Sequence, residues 1–371
     1  MADDLQRTPL APRNIPAGAE CIDVYGFAAP LVVTDPVEEY TAVREGVGVL
    51  DFSMLLKLDV RGPGALEVVN AAVARDLTKV APGRIAYGPV LDDDGLMQDD
   101  STCFVFGDDH VRVIGGPGMP AAILVATEGS GLSVESLRES LVHFTLQGPR
   151  SRDLLRKLTD ADVSNEAFPY YTFRDDLVLA GVPTLVSRMG FTAELGYELY
   201  APIEHALELW DAVFAAGEEF GIRAIGAAAI MMVRIEAGMV MGEGLEYDHA
   251  TSPWECNLGW AIPADKPAFR GRDAVLAAKE TAPRRTVTVR LDGGEDRATG
   301  APLFVDDVEV GHVTMSVPSP HLGFATIGLA HVAKEHAAVG TAVVARLDEG
   351  DIAGEIVATP VYDPDRQRVR S

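Results

Sequence analysis

Three textures of apolar and polar positions follow one another along the chain. In the first, the run PTLVS from Pro183 and the alternating Tyr197 and Leu199 predict two strands, since successive strand side chains point to opposite faces. The segment that joins and ends them, SRMGFTAELGYELY at residues 187–200, holds Gly190 and Gly196 with Arg188, Glu194 and Glu198. The glycines read as turn residues. Two readings of the charges stand: a solvated hairpin tip, or a binding edge where Glu198 accepts hydrogen bonds from a polar heterocycle.

The second texture occurs twice. LDVRGPGALE, from Leu58, leads into VVNAAVARDL, and HFTLQGPRSR, from His143, leads into DLLRKLTD. Each predicts a short apolar strand, then Gly-Pro, then a helix, with proline suited to a helix's first turn. Two related strand-turn-helix units in two α+β subdomains follow. Another helix begins near Pro202, with Leu207, Trp210, Val213 and Phe214 on one face. In the third texture, after about residue 283, short β-rich runs such as RRTVTVRLD, VEVGHVTM and FATIGLAHV alternate with turn residues. They predict a small antiparallel barrel or sandwich. WAIPADKPAFRGRDAVLAAKE links the two parts and carries one helix.

Composition narrows the class. With 371 residues, 47% hydrophobic and 23% charged, the chain suits two or three globular domains. Its net charge of −25 argues against nucleic acid, and leaves any anionic ligand dependent on local arginines. Cys21, Cys103 and Cys256 are far apart and odd in number, which implies no disulfide framework and no metal spacing. The polar start MADDLQRTPLAPRN has no apolar core of a signal peptide, and no apolar run is of membrane-spanning length. A reducing cytoplasm, with no membrane partner, is the expected location.

No P-loop or GxSxG elbow occurs, IGGPGMP lacks GxGxxG spacing, and the eight histidines show no HxxxH. No metal site is predicted. Chemistry then falls to carboxylates, aromatics and arginines around an organic cofactor or substrate. Tyr87 precedes the acidic turn at residues 92–95, and Asp99-Asp100 marks re-entry into the strand ending at Phe106. Adjacent strand side chains diverge, so only one aspartate of that pair is expected to face a cavity. Tyr170, Tyr171 and Arg174 in FPYYTFR read as core or as a stacking surface. Arg234 and Glu236, among Met231, Met232, Met239 and Met241, read as a structural pair within core filler. The tail DPDRQRVRS offers arginines to a carboxylate or to solvent.

Taken in order, these segments resemble the glycine-cleavage T-protein (aminomethyltransferase) family over nearly the whole chain. RTPL, VREGVGVLDFS, YGPVLDDDGLMQDD, LQGPRS, YYTFR, SRMGFTAELGYEL, RIEAG, SPWECNLGW, FRGRDAV and VTMSVPSPHLG carry the resemblance. It implies an α+β three-module ring, two related α+β subdomains plus a C-terminal antiparallel β-barrel, around a central folate cavity. The expected bounds are 1–50 with 140–255 for the folate-binding α+β domain and 51–139 for the second α+β domain. A linker with a helix follows at 256–282, and the barrel at 283–371.

The cofactor so implied is tetrahydrofolate. Glu198 matches the family glutamate that hydrogen-bonds the pterin ring, and Asp100 the catalytic aspartate. Tyr87 and Tyr171 match pocket tyrosines, and Arg188 belongs to the binding hairpin. The sequence departs from the family where its Arg-Asp pair becomes Ile230-Met231, its histidine Met54, and its asparagine Gly115 in VIGGPG. Its Gly-Trp becomes Gly26-Phe27, after Tyr25. Tyr25, Phe27 and Met54 are therefore assigned to the wall that meets the substrate. That wall suits a small methylated metabolite, O-, S- or N-methylated, better than an aminomethyl-lipoyl arm. Transfer of its methyl group to N5 of tetrahydrofolate is the expected reaction. The alternatives are a glycine-cleavage aminomethyltransferase and a folate-binding regulatory or repair protein; the segment at residues 238–244 lacks the cysteine expected of the latter. The oligomeric state stays open.

Overall fold

The computed structural model describes residues 4–242, 244–293 and 297–371. The first three residues of the polar start and Glu243 of the segment 238–244 therefore lie outside the described residues.

Each Gly-Pro unit seeds one sheet. Strand Leu141–Gln147 runs into helix Ser151–Leu158 and sits in a six-stranded sheet. That sheet runs Phe173–Leu179, Val182–Ser187, Gly196–Pro202, Leu141–Gln147, Val47–Asp51, Ile222–Ala224. All neighbours are antiparallel except the last pair. Helices Ser151–Leu158 and Ala206–Gly217 cover one face, where Phe144, Leu155, Trp210 and Val213 form an apolar core. Strand Leu56–Arg61 runs into helix Ala65–Ala72 and belongs to a five-stranded antiparallel sheet with Arg84–Leu91, Met97–Gly107, His110–Gly115 and Ser133–Ser136. Helix Met119–Thr127 joins Ala65–Ala72 over its core. Both helices start two residues beyond their prolines: the proline ends the turn and does not sit in the first helical turn.

The chain closes these parts on one another. Thr172 bridges to Arg84, and Tyr171 and Gly83 carbonyls accept from Ile85 and Phe173 amides, which ties sheet to sheet. The third part is a closed antiparallel barrel of six strands between Arg284 and Val357. Helix Ala227–Glu236 packs between helix Pro36–Glu45 and the barrel, through Tyr40, Val43, Val233, Ile327 and Leu329. The fold is thus mixed α+β with a C-terminal barrel. Among the described residues no helix is long and apolar enough to cross a membrane.

The Arg234–Glu236 pair expected from sequence does not form. Residues two apart on a helix do not face each other. Arg234 instead meets Glu246 at 2.8 Å, both side chains fully buried. Glu236 takes Arg44 at 2.8 Å, the Tyr40 hydroxyl at 2.9 Å and Ser319 Oγ at 2.7 Å. These bonds join two helices and the barrel.

Candidate functional site

A cavity of about 1040 Å³ opens where the two sheets, helix Ala227–Glu236 and the barrel meet. Of the residues picked from sequence, Asp100, Glu198, Tyr87, Tyr171, Tyr25 and Met54 line it. So do the departure positions Gly115, Ile230 and Met231, and Arg366 and Arg370 of the tail, near Tyr170.

Asp100 belongs to the five-stranded sheet. Its Oδ2 accepts a hydrogen bond from the Tyr87 hydroxyl and its Oδ1 one from Tyr247 at 2.9 Å. Burial raises the Asp100 carboxyl above its ordinary range, against the opposing pull of the two hydroxyls. Trp260 stacks on Tyr87 at 6.1 Å. Asp99 points the other way, as strand geometry demands. It accepts from the Met119 amide at 2.8 Å and from the Asp100 amide at 2.8 Å. Helix Met119–Thr127 has Gly118 at its cap position, with no side chain to serve its first amides, so Asp99 caps it from the neighbouring strand. Burial, then the charge of Asp100, pushes Asp99 up to about 7.

Glu198 belongs to the six-stranded sheet. Its Oε2 accepts from the Tyr200 hydroxyl at 2.6 Å and meets His143 Nε2 at 3.3 Å. Among the described residues no hydrogen bond reaches its Oε1. The His143 ring stacks on Tyr200 at 4.1 Å, and burial drives its pKa down to about 4, so the imidazole is neutral near pH 7. A neutral ring offers one N–H; donated from Nε2 it serves the carboxylate. The glycines of the hairpin earn their place through Gln147: a Cβ at Gly190 or Gly196 would come within 2.0 Å or 2.4 Å of its amide. That amide accepts from Thr192 Oγ1 at 2.7 Å and donates to the Met189 carbonyl at 3.2 Å, closing the loop beside Glu198.

Tyr25 and Tyr171 hold φ of 56° and 61°, a left-handed conformation uncommon for bulky residues. Both rings line the cavity. Tyr170 meets Tyr171 edge-on at 4.6 Å.

Two sequence assignments fail on geometry. Arg188 does not line the cavity. Its fully buried side chain turns behind the sheet, donating to Asn165 Oδ1 at 2.5 Å, the Phe168 carbonyl at 2.6 Å and the Ser371 carbonyl at 2.6 Å. Strand alternation explains this: Arg188 lies an even number of residues from Val186, which faces the helix-covered core. Phe27 also lies outside the cavity. It packs under Arg138, whose guanidinium sits 5.2 Å from its ring, while its strand neighbours Ala28 and Ala29 reach the wall. Glu194 joins neither pole; it binds the Tyr362 hydroxyl and meets Arg44 at 3.3 Å.

Tyr247, His143 and Tyr200 were missed. Tyr247 lies 147 residues from Asp100, beyond the methionines read as core filler. Tyr200 and His143 carried one available signal, since both share Glu198's strand face or its paired strand.

The residues present suit a flat, hydrogen-bond-donating heterocycle. Glu198 Oε1 is a bare acceptor, Tyr87, Tyr170, Tyr171 and Trp260 supply ring faces, and Asp100 supplies a carboxyl whose burial favours its proton. The volume lies at the upper end of the roughly 300–1,000 Å³ typical of small-molecule sites, room for a large ligand and a small one together.

Comparison with known proteins is consistent over the full length. Residues 10–266 match the GCVT N-terminal domain, and residues 284–363 the Glycine cleavage T-protein C-terminal barrel domain. An aminomethyltransferase of Halothermothrix orenii is 31% identical over 96% of this chain and 99% of that protein. One of Geobacillus thermodenitrificans is 34% identical over 96% and 98%. A trimethylamine-oxide aldolase of Ruegeria pomeroyi is 35% identical over 94% of this chain and 46% of that longer protein. The crystal structure of glycine cleavage system aminomethyltransferase T from Bartonella henselae shares the fold, with TM-score 0.87 over 97% of this chain and 98% of that one at 24% identity.

Proposed function

The chain belongs to the glycine-cleavage T-protein family, a folate-dependent aminomethyltransferase family, and on that premise we propose that it is a tetrahydrofolate-dependent demethylase. Its substrate is a small O-, S- or N-methylated metabolite. The observation that carries the reading is the wall at Met54, Gly115, Ile230 and Met231. These cavity-lining positions depart from the family pattern and bear no acid, base or amide. A greasy wall favours a methyl group over a polar arm. The Ruegeria pomeroyi relative, a longer protein named for a methylated amine oxide and matched over 46% of its length, lends support.

When bound, tetrahydrofolate supplies the nitrogen that takes the one-carbon unit. Glu198 accepts N–H bonds from the heterocycle through Oε1, with Tyr200 and His143 fixing the carboxylate by its other oxygen. Asp100, set by Tyr87 and Tyr247, holds or relays a proton at the cavity. Tyr87 and Tyr171 confine the ring, and Tyr25 and Met54 meet the methylated substrate. Positioning supplies most of the rate, for which effective molarities are worth about 7–11 kcal/mol. No nucleophilic side chain is required.

A second reading, glycine-cleavage aminomethyl transfer, is favoured by the names of the Halothermothrix orenii and Geobacillus thermodenitrificans relatives. One experiment separates the two. A panel of methylated compounds is incubated with tetrahydrofolate and assayed for methyl-tetrahydrofolate, beside a lipoyl-protein coupled assay. Methyl-tetrahydrofolate from a small donor supports the proposal. Lipoyl-dependent turnover alone refutes it.

A further inference from the structure

We propose that Arg75 binds a carboxylate of a ligand in the cavity, an inference that rests on the folate-linked reading above. Arg75 is built into the wall. Its carbonyl accepts from Lys266 Nζ at 2.8 Å, and the same ammonium takes the carbonyls of Asn70 and Val73, which fixes the backbone after helix Ala65–Ala72. Its stem crosses strand Arg84–Leu91 at Gly88, where a Cβ would come within 2.4 Å of Arg75 Cγ. Only glycine leaves that passage open. The guanidinium ends over Trp260, 5.8 Å from the ring, and Trp260 in turn stacks on Tyr87, which donates to Asp100.

Among the described residues no hydrogen bond or ion pair reaches this guanidinium. The adjacent Asp76 is engaged by Thr78 and Lys79. The chain holds 56 acidic residues against 31 basic ones, so an acidic partner for a cavity arginine would be easy to supply. Here none is supplied. By contrast Arg285, also on the cavity wall, donates to the carbonyls of Ala282 and Arg284. A guanidinium over an indole, with no hydrogen-bond partner among the described residues, keeps its fork of donors free, and that fork matches a carboxylate. The carboxylate is either the glutamyl group of tetrahydrofolate or one carried by the methyl donor.

Calorimetric titration of wild type, Arg75→Gln and Arg75→Lys distinguishes these sources. The probes are tetrahydrofolate against 6-methyltetrahydropterin, which lacks any carboxylate, and N,N-dimethylglycine against trimethylamine. Arg75→Gln should weaken one carboxylate-bearing probe by about 10- to 100-fold and spare its carboxylate-free counterpart. Arg75→Lys, which keeps the charge without the fork, should recover part of the loss. Loss confined to tetrahydrofolate assigns Arg75 to the glutamyl group; loss confined to dimethylglycine assigns it to the donor. Unchanged affinity for both carboxylate probes, or equal loss for the carboxylate-free ones, overturns the inference and leaves folate binding standing. A wild type that binds neither tetrahydrofolate nor 6-methyltetrahydropterin overturns the functional reading, and the inference with it.

Discussion

The two sheets each bring one carboxylate to the same cavity, and they dress it differently. Asp100 receives a phenol on each oxygen, from Tyr87 and Tyr247. Glu198 receives both its partners, Tyr200 and His143, on one oxygen. The first arrangement leaves a carboxyl enclosed, with burial raising its pKa. The second leaves an oxygen bare toward the cavity. On the proposed function, similar strands with similar acids take unlike work: Asp100 a proton, Glu198 recognition.

That division can be broken most sharply at Asp100. Replacement by asparagine keeps shape and removes the ionisable group, so turnover should fall about 10²–10⁴-fold with tetrahydrofolate affinity little changed. Steady-state rates beside calorimetric titration check this. Glu198→Gln should show the reverse: tetrahydrofolate binding weaker by roughly 1–3 kcal/mol, the cost of an imperfectly paired buried group, with turnover preserved at saturation.

Met54→His should alter donor affinity while sparing tetrahydrofolate. If folate affinity collapses instead, the wall has been assigned to the wrong ligand.

The smallest effect concerns Asp99, whose pKa is raised by burial to about 7. An acid with a raised folded-state pKa contributes stability at low pH that is lost as pH climbs through the folded value. Wild type should therefore lose stability relative to Asp99→Asn between about pH 4 and 7. The mutant should start lower at acid pH, since one amide loses its acceptor. Melting temperature against pH for both proteins reads the slope, and parallel curves would discard the shift.

Much of this was legible in the chain because it is local. The Gly-Pro turns, the strand alternation around Tyr197 and the β-rich C-terminal third are short-range patterns, and the structure keeps them. The order of motifs located Asp100, Glu198, Tyr87 and Tyr171 on a common cavity. What stayed hidden depends on direction or on distant pairing. Arg188 sits in the right hairpin, yet its side chain leaves by the other face, toward Asn165. Arg234 and Glu236 are neighbours in sequence and still choose partners elsewhere. Tyr247 completes the Asp100 station only when the chain closes over the barrel side, and no local pattern announces that. Arg75 is meaningful only beside Gly88 and Trp260, which periodicity does not bring together.

The division of labour between the two carboxylates is tested most directly by the double variant Asp100→Asn/Glu198→Gln, compared with each single one for turnover and for tetrahydrofolate affinity. Independent roles make the effects add. The account predicts a double variant with the turnover loss of Asp100→Asn and the affinity loss of Glu198→Gln, each at full size. A double variant no worse than either single one, in a parameter that both singles impair, would mean one shared task and would contradict it.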